Sequence, residues 1–359
     1  MARGKANMFV ALSVLALFGS GVFLTVLYIF RSPCADYQPH ELVLNCFDDG
    51  EIWDPFCTSP DGKKLVAAGP CKFTWIDNWD KKQSASETAH ALDICPIQDI
   101  SFSGDGRRLG IYAGALKADE ISVFYAHSRE PANSWQLPHC EWNHQLVLSQ
   151  DGALVATQCP KGVEIWKSST GELLDSIPTP ENFYPASFCF SQGRLLIVYY
   201  EEDFRKISIY GLEEPGKHMR LVSSLKTSSQ DIFNGVAMSA DGSLFGVNHG
   251  LRTINVYQTC DSKLLAEFKN AGGITSSNHF EGFSLSSDGR FLASSNPGYP
   301  DDDTVTVWAV RTRKLLCTFR GFRSTPDYLA FGPDSKTLLT RDGHAVAVWD
   351  ISTFVNSED

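Results

Sequence analysis

The chain has 359 residues, 43% hydrophobic and 20% charged, which suits a large folded core and excludes a disordered chain. Its formal net charge of −11 repels phosphate backbones and argues against nucleic acid as a partner. Ten cysteines without a C-x-x-C pair argue against a zinc knuckle or a thioredoxin-like redox site, and they are too sparse for a disulfide scaffold.

After a short basic tail (residues 1–7), residues 8–30 are almost continuously apolar and uncharged. As a helix this run is roughly 34 Å long, enough to cross a ~30 Å hydrocarbon core. The run predicts one transmembrane signal-anchor helix, stopped at Pro33. A cleaved signal peptide ending near Gly19-Ser20-Gly21 competes with it, but the apolar stretch continues to Ile29-Phe30. Arg3 and Lys5 before the run favour a cytosolic N-terminus and a lumenal main domain, in the endoplasmic reticulum or another secretory-pathway membrane. The lack of any Asn-x-Ser/Thr sequon leans the other way. Residues 31–40 form a linker.

Seven turn signals then recur. They are Ser59-Pro60-Asp61-Gly62, Ser103-Gly104-Asp105-Gly106, Ser149-Gln150-Asp151-Gly152, Ser191-Gln192-Gly193-Arg194, Ser239-Ala240-Asp241-Gly242, Ser286-Ser287-Asp288-Gly289 and Gly332-Pro333-Asp334-Ser335. Their first residues stand 42 to 48 positions apart. Asp-Gly marks a hairpin because both residues tolerate positive φ, and apolar stretches flank each turn as two strands. A third, alternating strand follows and ends in an aromatic, as in Val163-Glu164-Ile165-Trp166 and Val346-Ala347-Val348-Trp349; the first repeat, Phe73-Thr74-Trp75-Ile76, is less regular. A fourth strand, such as Lys263 to Phe268 or Lys314 to Phe319, completes the unit. Four strands per unit and seven units predict an all-β, seven-bladed β-propeller over residues 41–352. The acidic tail 353–359 leaves the last blade one strand short, so the run 41–47 is expected to pair with Ala345 to Trp349 and lock the ring.

These repeats resemble the WD-repeat family. The Trp-Asp pair is intact only as Trp349-Asp350; Trp166-Lys167 and Trp308-Ala309 keep the tryptophan alone. Asp342 matches the family's buried turn aspartate, whereas Gly-His pairs are missing at the unit starts. The resemblance implies a non-enzymatic scaffold that binds other proteins.

No P-loop, Rossmann glycine pattern, H-E-x-x-H or G-x-S-x-G stands in a supporting context, so no catalytic, cofactor or metal residue is assigned. Candidate protein-binding positions are Trp135 and Trp142, in an insertion from Ala126 to Trp142, and Phe183-Tyr184, all read as lying between blades. Glu201-Glu202 and Asp301-Asp302 fall in corresponding turns and would make one rim acidic. The leading expectation is a membrane-anchored, monomeric interaction scaffold without a cofactor. A propeller enzyme or cofactor-binding protein with a central-channel site is one alternative. Another is a regulator of a small GTPase, by analogy with a membrane-anchored WD-like family of the secretory pathway whose anchor follows its propeller.

Overall fold

The computed structural model describes residues 44–45, 55–68, 72–77, 86–91, 96–114, 119–137, 145–159, 162–201, 204–227, 233–249, 253–271, 282–296, 303–341 and 345–355, a few single positions apart. Within them, twenty-eight strands form seven four-stranded antiparallel sheets. Six sheets use four consecutive strands each; blade two is Ile97–Phe102, Arg108–Gly114, Asp119–Tyr125 and Pro131–Leu137, from the centre outwards. Blade seven combines Tyr328–Phe331, Thr337–Arg341 and Ala345–Asp350 with an outer strand, Leu44–Asn45, from the other end of the repeat region. Leu44 lies opposite Val346 and Asn45 opposite Ala345. At the centre, Phe56 of blade one packs against Tyr328 of blade seven at 4.4 Å between ring centroids, which completes the circle.

The repeated turn works by a different means than Asp-Gly alone suggests. Only the glycine takes positive φ, between 66° and 70° in Gly62, Gly106, Gly152, Gly242 and Gly289. The aspartate is instead an acceptor. In blade six the Ser286 hydroxyl donates to Asp288 Oδ1 at 2.7 Å and accepts the Phe291 N–H at 2.9 Å. The same pair of bonds recurs at Ser59, Ser103, Ser149 and Ser239. A polar hydroxyl is therefore tolerated at a buried strand end because both its donor and acceptor capacities are used. Blade four differs: Gln192 and Gly193 have φ of 51° and 79° and make a two-residue hairpin, with Ser191 opposite Arg194.

Blades pack face to face through their second and third strands. The residue ending the third strand faces the preceding blade: Trp166 packs with Tyr112 and Val123 of blade two, and Trp349 with Val305 and Val307 of blade six. In blade one that place belongs to Ile76, opposite Leu65, as Trp166 is opposite Val155. Trp75 is one residue out of phase and turns towards blade two, where it meets Phe102 at 6.0 Å. This inversion explains the irregular first repeat.

The expected anchor, residues 8–30, lies outside the described residues. Among the described residues no helix is long and apolar enough to cross a membrane.

Candidate interaction surface

Each blade connects its first to second and third to fourth strands on one side of the ring, here the turn face. The second-to-third and blade-to-blade connections lie on the opposite, loop face. On the turn face the third-to-fourth connections of blades two, three, five and six share a geometry. Arg129, Gly171, Ser262 and Arg313 take positive φ, and each donates its N–H to the carbonyl four residues back at 2.7 to 2.9 Å.

Next to the third-to-fourth connections of blades three to six, the pairing of third and fourth strands slips at Ile165/Trp166, Ile209/Tyr210, Val256/Tyr257 and Val307/Trp308. A bulge of this kind re-aims one side chain. In four consecutive blades it leaves a leucine outside: Leu173, Leu221, Leu264 and Leu315 are 45%, 55%, 49% and 45% exposed. Each stands opposite the strand-end aromatic of its own blade. All four lie on outer strands, at the turn-face end of their blades.

Between blades five and six the turn face opens into a groove of about 650 Å³. Leu244, Leu265, Phe291 and Val310 supply apolar lining, and Cys260, Arg290 and Arg311 stand among its polar residues. Arg290 Nε donates to Asp288 Oδ2 at 2.8 Å, and its guanidinium lies 5.0 Å from the centroid of the Phe291 ring. Burial pushes the Asp288 carboxyl up, but hydrogen bonds from Arg290 and Ser286 outweigh it and hold the carboxyl below its usual range. Lys263, Arg313 and Lys314, all exposed, extend the cationic border on the adjoining turns.

The inner strands carry a few polar groups. Asp99, half-buried at a bulge in blade two, accepts the Leu146 N–H of blade three at 2.6 Å and the Ile100 N–H at 2.8 Å. Burial raises its carboxyl to about 7, against the effect of both hydrogen bonds. Burial also raises the Cys57 thiol of blade one, and the Asp99 charge adds to the shift. Asp99 thus ties the inner strands of two blades together. Among the described residues no group of three or more His, Cys, Asp or Glu could hold a metal ion.

The positions singled out from sequence land in different settings. Trp135 is not in an irregular insertion: it belongs to the outer strand of blade two, Pro131–Leu137, and packs against Trp166 of blade three at 6.1 Å. Gly171 permits this approach, since a Cβ there would lie 2.9 Å from Trp135 Cβ. Phe183 is half-buried against Tyr199 at 5.8 Å, and Tyr184 begins the inner strand of blade four. Glu201 is not part of an open acidic rim. It ends a second strand, its side chain is 7% exposed, and it pairs with Lys206 Nζ at 2.6 Å. Trp142, Glu202, Asp301, Asp302 and Asp342 lie outside the described residues. The exposed leucines and the cationic groove were missed in the sequence, and the run Arg311 to Lys314 was the signal for the groove.

No family model matches the chain, and no curated protein matches it. Among solved structures, the chain is similar to the β-propeller domain of Cps50 (Swd1) from Myceliophteria thermophila. The likeness has a TM-score of 0.62 at 12% identity and covers 86% of this chain and 99% of that one. At such identity the likeness is one of architecture. Strand count, ring closure and this likeness together make the chain a seven-bladed β-propeller of four-stranded blades.

Proposed function

We propose that the chain is a membrane-anchored protein-interaction scaffold of WD-repeat type, held by residues 8–30 in a secretory-pathway membrane. The observation that carries the scaffold reading is the closed ring of seven mutually packed sheets. Its rigid interior leaves turns, loops and outer edges as surfaces on which several proteins can sit at once. The apolar length of residues 8–30 supports the anchor. The propeller acts as a monomer, and its partners are proteins rather than nucleic acid.

The test uses the full chain with a proximity-labelling ligase after Asp359, beside a Leu15→Arg/Leu24→Arg variant. The expected result is a carbonate-resistant membrane protein that labels a reproducible partner set, two members of which co-purify only when the chain is present. The variant should be released from membranes and lose that set. Release of the unaltered chain by carbonate overturns the anchor. Partners that associate equally well without the chain overturn the scaffold.

A further inference from the structure

We infer that the turn face of blades five and six lies against an anionic lipid surface, a reading that rests on the membrane-anchored one above. Three features of the chain converge on it.

The first is direction. The third strand of blade seven runs from the loop face to the turn face, and Leu44–Asn45 pairs antiparallel with it. The closing strand therefore starts at the turn face. Residues 31–43 span at most about 45 Å when fully extended, so an anchor ending at Phe30 keeps that entry point within this reach of the headgroups.

The second is charge. The whole chain carries −11. Yet on the turn face of blades five and six the exposed cations Lys263, Arg290, Arg311, Arg313 and Lys314 outnumber the carboxylates Asp241, Asp261 and Asp288. Asp288 is already engaged by Arg290. Lipid phosphates and serine carboxylates suit such a border, and cationic side chains attract them over about a Debye length.

The third is exposed apolar surface. Leu264 and Leu315, 49% and 45% exposed, directly follow Lys263 and Lys314 in the chain. Leucines flanked by Lys and Arg are the composition of surfaces that enter the headgroup boundary, with the charged heads staying at phosphate level. Contact with lipid would cover leucines that no blade covers.

The inference carries an orientation. Anionic lipid is concentrated in the cytosolic leaflet, which places the propeller in the cytosol, opposite to the side favoured by Arg3 and Lys5 alone. The free, exposed thiol of Cys260 suits that reducing compartment.

Cys260 also supplies the probe. The full chain is reconstituted in nanodiscs of phosphatidylcholine, with or without phosphatidylserine, that contain a nitroxide-headgroup lipid. A thiol-reactive fluorophore is attached, and the difference between the chain and its Cys260→Ser form gives the signal of this site. Glu181→Cys in the Cys260→Ser chain reports the loop face. The inference expects several-fold stronger quenching at Cys260 than at position 181 in phosphatidylserine discs. Added salt and the triple variant Arg311→Glu/Arg313→Glu/Lys314→Glu should weaken it, with the chain still anchored. Equal quenching at the two sites, or none at Cys260, in an anchored chain overturns it and leaves the cationic groove to an acidic protein segment. A chain that never enters the discs overturns the anchored reading instead.

Discussion

Trp349 and Thr340 are joined across adjacent strands of blade seven: the indole Nε1 donates to Thr340 Oγ1 at 2.9 Å, and both side chains are buried. Trp166 and Thr157 repeat the bond in blade three at 3.2 Å. In blade six Trp308 reaches Thr306 of its own strand at 3.1 Å. The tryptophan thus needs a hydroxyl partner within its blade as well as an apolar neighbour in the one before.

Replacing Trp349 by Phe should lower unfolding free energy by about 2–3 kcal/mol, because Thr340 keeps a buried hydroxyl without its donor and ring volume is lost. Adding Thr340→Val should recover part of that loss. Urea titration of the two variants checks it. A double variant no more stable than Trp349→Phe would mean that ring volume, not the hydrogen bond, dominates.

Ser286→Ala should cost about 1–3 kcal/mol, since the Phe291 N–H and the Asp288 carboxylate both lose a partner at a fully buried position. Ser243→Ala is the control. Its hydroxyl bonds Asp241 in solvent, so its effect should stay within about 0.5 kcal/mol. Thermal unfolding of the pair separates the role of the turn network from that of serine as such.

The Asp99 carboxyl titrates near 7 in the fold, well above its ordinary range. Between those values the folded chain holds a proton that the unfolded chain has released. The stability Asp99 contributes is therefore present in acid and lost as pH rises through about 7. In Asp99→Asn the fall in denaturation midpoint between about pH 4 and 7 should flatten. Asp151 works in the opposite sense: the Ala153 N–H and the Ser149 hydroxyl hold its carboxyl below the usual range. Its contribution is present at neutral pH and lost as pH falls through that lowered value, so Asp151→Asn should flatten the acid limb.

Lys206→Met should destabilise by about 2–3 kcal/mol, a value below that for a fully buried pair because the lysine is 29% exposed. It leaves the buried Glu201 carboxylate uncompensated. Combining it with Glu201→Gln should restore most of the loss, as measured by chemical denaturation.

Much of the fold was legible because the serine, the aspartate and the glycine of five turns answer to separate demands, and the aromatic ending the third strand marks a fixed depth in the sheet. The rest depended on which way a side chain points. Glu201 read as solvated because Glu202 and Asp203 follow it, yet its strand aims it inwards beside Lys206. The first repeat reads as irregular because Trp75 stands one residue before the strand-end position, and a shift of one residue moves a side chain to the other face of a strand. Leu264 and Leu315 fall within the fourth strands expected at Lys263 to Phe268 and Lys314 to Phe319, but the slip at Val256/Tyr257 and at Val307/Trp308, which leaves each of them exposed, has no signature in the sequence.

The pairing of Leu44–Asn45 with Ala345–Val346 also sets an order of events during synthesis. At ribosomal rates the strand made first waits about 15–60 s for its partner. Throughout that interval blade one has no finished neighbour on its blade-seven side, and the Phe56 ring has no Tyr328 to cover it. The nascent ring is thus an open spiral with two uncovered ends, exposed to chaperones and proteases until Ala345–Val346 has been made.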